Sequence, residues 1–368
     1  MPLPVPARPE PPVRHRQRTP NRLVAVCVTA AVAVLVVLVV TVALRAGEPG
    51  ADSHQHAHPA RTSTMPPDRD QRASRSEDVD PLPDLRRHEL RDPDRTVLRD
   101  HDGDWVASFT DGARTVTLAG PERRFDEATA THGVTSTTWV RVLDEPYRGE
   151  IDSGWLAQAR ADTSPDVLEV ATQYLPDARE VRTDDGVLVA GEAAYGPLDA
   201  DGERPVGADW NDYQQRTATY GSGSARHVRR PTRSQAGAMD CSGFVRMVFG
   251  VRHPVPLTSK VDGGDSLPRI SRLQASDAPG VVPLQHRDGR VADLDAVRPG
   301  DLVFFDAGQD RRGIDHVGIY LGTDEAGEHR FISSRPSSNG PTMGDHLEPS
   351  LLNGDGLFAD TFVATRRL

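Results

Sequence analysis

The C-terminal half of this chain predicts an α+β fold. Two observations carry that expectation. A short amphipathic helix opens at Cys241, with Phe244, Val245, Val248 and Phe249 as its apolar stripe and Gly250 as its stop. Three strand-like runs then follow at 301–305, 316–322 and 330–335. A helix first and strands afterwards implies an antiparallel sheet with the helix laid on it, not alternating parallel units.

The chain has 368 residues and a formal net charge of -11. That length allows about two globular domains. The acidic balance argues against nucleic acid as a partner. Residues 1–22 form a basic tail with Arg8, Arg14, Arg16, Arg18 and Arg22. Residues 23–44 carry no charge and are long enough for a helix across a hydrocarbon core of about 30 Å. The arginines place the N-terminus in the cytoplasm, so everything after Leu44 is expected outside the membrane, anchored or, if the segment is cleaved, secreted.

Residues 45–95 are rich in Pro, Asp, Arg, Ser and His and poor in large apolar side chains, so they are expected to be a disordered tether. Its alternating His54, His56 and His58 read as solvated spacer, and no metal or other cofactor is expected. Residues 96–199 are expected to be a small α+β region of unassigned role. There, two β-rich runs flank Asp111-Gly112, a hairpin signal, and a third run ends at Leu143. Two helical patterns follow. Ser164 and Pro165 suggest the cap and first residue of the second, with Val167, Leu168, Ala171 and Leu175 on one face. Residues 200–368 carry the chemistry.

The sequence has two cysteines, and Cys27 lies within the apolar run. Cys241 is therefore the only thiol in the exported portion, which rules out an intramolecular disulfide there and flags the thiol as a reactive candidate. A thiolate is the nucleophile, and a helix N-terminus or a neighbouring imidazolium lowers the thiol pKa. Asp240 and Ser242 are capping-type residues, and Gly243 allows another backbone to approach. In the run from His316 to Leu321, period two puts His316, Gly318 and Tyr320 on one face. Gly318 is expected to leave room for the Cys241 helix, so that thiol and imidazole meet.

Asp240-Cys241-Ser242-Gly243, RPGDLVFF at 298–305 and DHVGIYLG at 315–322, in that order, resemble the NlpC family of cell-wall cysteine peptidases. The resemblance spans roughly residues 200–368. It implies a papain-like α+β core, with Cys241 as nucleophile and His316 as base. It implies cleavage of amide bonds in peptidoglycan stem peptides through a thiolate–imidazolium pair and a thioester. Asp240, Ser242 and Gly243 fall on the motif around the cysteine. Where the family's third residue is usually a histidine on the next strand, this chain has Ser333, expected to hydrogen-bond Nδ1 of His316. Ser334, Asp345 and His346 are the alternatives. The family's tyrosine upstream of the cysteine has Tyr220 as counterpart, with Tyr213 behind it. Two other functions remain open: a wall-binding or regulatory protein that keeps the fold, and an amidase or acyltransferase using the same Cys–His pair.

Overall fold

The N-terminal part of the fold begins with a strand that composition did not announce. The computed structural model describes residues 84–221, 223–259, 264–285, 294–308 and 313–368. The basic tail, the apolar run at 23–44 and most of the expected tether lie outside these residues. Among the described residues, no helix is long and apolar enough to cross a membrane. The last residues of the expected tether do form structure: β1 (Arg86–Leu90) pairs antiparallel with β2 (Arg95–Arg99). All five β1 residues are exposed. The strand is therefore held by ladder hydrogen bonds, not by burial, and an apolar pattern could not reveal it.

β1 and β2 continue into β3 (Trp105–Thr110), β4 (Thr115–Phe125) and β5 (Val134–Val142), giving a five-stranded antiparallel meander in sequence order. Asp111-Gly112 lies in the β3–β4 connection, as the hairpin signal requires. α1 (Ser153–Ala161) packs Leu156 against Phe109, Val116 and Leu118 of this sheet. α2 (Val167–Thr172) starts two residues later than Pro165 suggests. Its cap is Asp166, which accepts from Glu169 N–H at 3.0 Å. Asp166 wins because it also accepts from Arg123 at 2.8 and 2.6 Å and from Val140 N–H at 2.6 Å. These charge-assisted contacts are not available to Ser164.

After the short hairpin β6 (Val181–Arg182) and β7 (Leu188–Ala190), α3 (Trp210–Tyr213) and a second hairpin, β8 (Ala218–Tyr220) with β9 (His227–Arg229), precede the helix of interest. α4 (Cys241–Arg246) runs into a π-helical turn over Met247–Val251. Gly250 therefore does not stop the helix. A Cβ there would lie 2.2 Å from Leu257 Cδ2, so the glycine serves close packing. α5 (Ser271–Asp277) follows, then the second sheet: β10 (Leu302–Phe305), β11 (His316–Thr323), β12 (His329–Arg335) and β13 (Gly340–Thr342). α6 (Leu357–Thr361) leads into β14 (Phe362–Arg366), which returns to pair with β10, so the strand order is β13-β12-β11-β10-β14, all antiparallel.

The predicted α+β class and its helix-on-antiparallel-sheet arrangement are therefore present. The boundary expected between residues 199 and 200 is not. Val167, Leu168, Ala171 and Tyr174 share one core with Cys241, Phe244 and Val248 and with Val317, Ile319 and Leu321. Tyr174 meets Phe244 edge-on at 6.1 Å. All described residues belong to one compact unit. The helical face of residues 167–175 is apolar because it closes the same core as the cysteine helix.

Candidate active site

The nucleophile candidate is built from the first turn of α4. Asp240 caps the helix, its Oδ1 accepting from Gly243 N–H at 2.8 Å. The same carboxylate accepts from Gly207 N–H at 2.8 Å, Ser242 Oγ at 3.1 Å and Arg269 at 3.0 and 2.6 Å. Burial alone would raise its pKa, but Arg269 and the two backbone donors hold it below the ordinary aspartate value. Gly243 is where a second backbone approaches. A Cβ there would lie 2.5 Å from Ala208 O and 2.9 Å from Asp209 Cα. Ser242 faces Asp240 and Arg269, so it stabilises the cap.

Cys241 is buried, and its Sγ lies 4.0 Å from the carbonyl oxygen of Asp315. The backbone N–H groups of Val317 and Ser242 also favour the thiolate. Burial first, and the Asp240 carboxylate second, nonetheless push the thiol up to about 12.

His316 opens β11, and the structure changes how it relates to the cysteine. Its ring lies among Phe305 and Phe358, with centroids at 5.9 and 5.2 Å, on the sheet face with Tyr320 and Phe331. α4 packs on the opposite face, against Val317, Ile319 and Leu321. Gly318 therefore makes no room for the helix. A Cβ on it would lie 2.6 Å from Phe331 Cδ2 and 2.9 Å from Ile332 O, so the glycine accommodates β12. The thiol contacts the backbone on either side of His316. Among the described residues, no hydrogen bond joins Sγ to the ring. Burial, then the Arg335 guanidinium, pushes the imidazole down to about 3. Burial therefore favours the neutral thiol and the neutral imidazole over the thiolate–imidazolium pair expected from sequence. Both charged forms lose more solvation in this closed site than their surroundings return.

Ser333 is brought to His316, its Oγ lying 3.0 Å from Nε2. The expected contact at Nδ1 is not made; the serine meets Nε2 instead. Ser333 is fully buried on β12. Ser334 points to the other face and donates to Met239 O at 2.6 Å. Asp345 is engaged elsewhere, accepting from Arg330 at 2.7 Å and from Thr131 N–H at 2.7 Å. His346 is exposed. Period two along β12 decides between the two serines, because neighbouring residues on a strand face opposite ways.

Tyr220 sits on β8 with its hydroxyl 2.7 Å from Arg246 Nη2, in a buried cluster in which Arg246 Nε also pairs with Asp209 at 3.1 Å. Tyr213 donates to Gly191 O at 2.8 Å. Another tyrosine, Tyr195, lies within electrostatic reach of the Cys241 thiol, and sequence reasoning missed it. Its neighbour Ala194 accepts from Met239 N–H at 2.8 Å, and this pairing carries Tyr195 to the start of α4. Burial raises its pKa, with the Cys241 sulfur the next contributor. The available signal was a second Tyr–Gly pair, Tyr195-Gly196. Arg269 was also missed, since it comes from the loop-rich stretch after α4.

A helix-borne thiol packed on an antiparallel sheet thus lies against the backbone flanking His316, whose ring meets the Ser333 hydroxyl. Residues 219–347 match the model of the NlpC/P60 family, and the chain carries an NlpC/P60 domain over that stretch. The family generally comprises cysteine peptidases and amidases acting on peptidoglycan. No curated protein matches the chain. A crystal structure of an NlpC/P60 family protein from Bacillus cereus ATCC 10987 is similar at 13% identity, covering 77% of this chain and 78% of that one, with a TM-score of 0.23. A superposition of that quality equates no residue of one chain with a residue of the other.

Proposed function

We propose that this protein is a cysteine endopeptidase that cleaves amide bonds in peptidoglycan stem peptides. One observation carries the reading. Within the NlpC/P60 match, Cys241 lies against the backbone flanking His316, and Ser333 fixes that ring through Nε2. The tautomer in which Nε2–H donates to Ser333 leaves Nδ1 unprotonated and able to act as a base. The reading requires Nδ1 to reach the thiol around the strand end at residues 315–317, where Sγ lies 4.0 Å from the Asp315 carbonyl oxygen. The proton then passes from Sγ to Nδ1 as sulfur attacks the amide carbonyl. The Cys241 backbone N–H receives the developing oxyanion. The imidazolium protonates the leaving amine, and a thioester remains. His316 next takes a proton from water, and hydroxide displaces the thiolate, which recovers its proton as the acid product leaves. The apolar run at 23–44 and the arginines before it support a membrane-anchored enzyme with this domain outside the cell.

The test is digestion of purified muropeptides followed by mass spectrometry. Shorter stems should be released, and Cys241→Ala should abolish the release. Cleavage that survives the substitution would refute the mechanism. A second reading, a wall-binding protein that keeps the fold, is favoured by the missing thiol–imidazole hydrogen bond. It predicts muropeptide binding without any mass change.

A further inference from the structure

We infer that Arg269 is a positioning residue for the nucleophile: it holds the Asp240 carboxylate at the start of the helix and cancels that carboxylate's charge beside the Cys241 thiol. The inference rests on the proposed role of Cys241 and adds the element that sets its reactivity.

The contacts are specific. Arg269 Nη1 reaches Asp240 Oδ1 at 3.0 Å and Ser242 Oγ at 2.6 Å. Nη2 reaches Asp240 Oδ2 at 2.6 Å and Ala208 O at 3.0 Å. The fork therefore grips both carboxylate oxygens and both residues flanking the cysteine. It also ties them to the 207–209 backbone that Gly243 allows to approach. A guanidinium suits this place because its planar donors match a carboxylate in two parallel bonds. The aspartate cannot be neutralised by protonation, given its several donors, so a full negative charge stays next to the sulfur.

That charge opposes the chemistry. A thiolate beside an uncompensated carboxylate is repelled, in a buried site where screening is weak. The structure identifies the groups facing the thiol. Asp240 is adjacent in the chain, Arg269 comes from the segment before α5, and Tyr195 from the segment paired with residue 239. Asp315, just before β11, brings its carbonyl oxygen to 4.0 Å from Sγ, while the His316 ring lies on the other face of the sheet. Of these, Arg269 is the group that is positive at neutral pH. Its own pKa is raised, despite burial, by Asp240, Asp209 and Cys241. The segment after α4 thus feeds a charge back to the nucleophile.

The test uses iodoacetamide alkylation of Cys241 in the full chain, followed as log rate against pH between 6 and 9. Because this reads the thiol and not hydrolysis, it is independent of whether muropeptides are cut. Arg269→Met should slow alkylation about tenfold at each pH, the equivalent of about one pH unit in thiolate population. Asp240→Asn should speed it. The double variant Arg269→Met/Asp240→Asn should return to within about threefold of wild type, since both charges are gone. If the double variant is as slow as Arg269→Met, the charge role is overturned. Should Arg269→Met fail to fold, Arg269→Lys decides. Lysine keeps the charge and loses the fork, so the pH dependence should stay in place, and a tenfold slowing in Arg269→Lys would overturn the inference.

Discussion

Replacing Ser333 by alanine tests the part of the site on which sequence and structure converge with least redundancy. The hydroxyl lies 3.0 Å from His316 Nε2 and is fully buried. Alanine leaves a ring nitrogen with no described partner, in a pocket walled by Phe305 and Phe358. Stranding a buried polar group costs about 1–3 kcal/mol. At roughly 2–4 °C per kcal/mol for a domain of this size, the thermal midpoint should fall by about 2–12 °C. If the same contact holds the imidazole in its catalytic tautomer, the loss carries into the transition state. The fall in kcat is then about 5- to 150-fold, with KM little changed. Scanning calorimetry and muropeptide turnover measure the two effects separately, and Ser333→Thr, which keeps the hydroxyl, should recover most of the turnover. An alanine variant with an unchanged midpoint and unchanged kcat would refute the assignment. So would an effect confined to KM, because a residue that only orients the base does not bind substrate.

Two further predictions follow from the buried imidazole. His316 is pushed down to about 3, whereas an unfolded histidine titrates near about 6.5. The unfolded chain therefore binds the extra proton first. The stability due to the neutral ring is fully present above about pH 6.5 and is lost as pH falls toward 3, with His253, pushed down to about 4, acting in the same direction. Urea unfolding at pH 7, 5.5 and 4 should show a steeper loss for wild type than for His316→Gln; equal slopes would exclude His316 as a source. Phe358 covers the ring, so Phe358→Ala should admit water and move the His316 titration upward toward 6.5 in NMR, at a stability cost of about 3–5 kcal/mol. A titration that stays in place would mean that Arg335, not burial under Phe358, holds the value down.

Local patterns were legible where the physics is local. The helix at Cys241 and the strand runs follow from periodicity and capping chemistry, whereas Ser333 came from the family resemblance, with Ser334 left as an alternative. The same periodicity misled at Gly318. Alternation correctly grouped His316, Gly318 and Tyr320 on one face, but it could not say which face receives the helix, and that face is the other one. β1 escaped because an edge strand held by backbone bonds has no apolar signature. Tyr195 and Arg269 escaped for a different reason: each reaches the site through a pairing distant in sequence, Ala194 with Met239 and Arg269 with Asp240. The boundary at residue 200 failed likewise, since an apolar helix face does not state which core it closes.

Asp240 exposes a conflict inside the motif itself. Sequence reasoning counts a helix start as an aid to the thiolate, because free N–H groups and the helix dipole favour negative charge there. Yet the residue that starts this helix is an aspartate, and its carboxylate is the second largest force raising the Cys241 thiol. A helix of six residues before its π turn has only a short dipole to set against a full charge. The cap that positions the nucleophile therefore also deactivates it. The two roles are reconciled only if a cation neutralises the carboxylate without removing it as a hydrogen-bond acceptor. Arg269 meets that condition because its fork donates to both oxygens while Gly243 N–H keeps its own bond to Oδ1. On the proposed mechanism, the helix start is a three-part unit of cap, nucleophile and counter-charge, and the third part lies outside the motif.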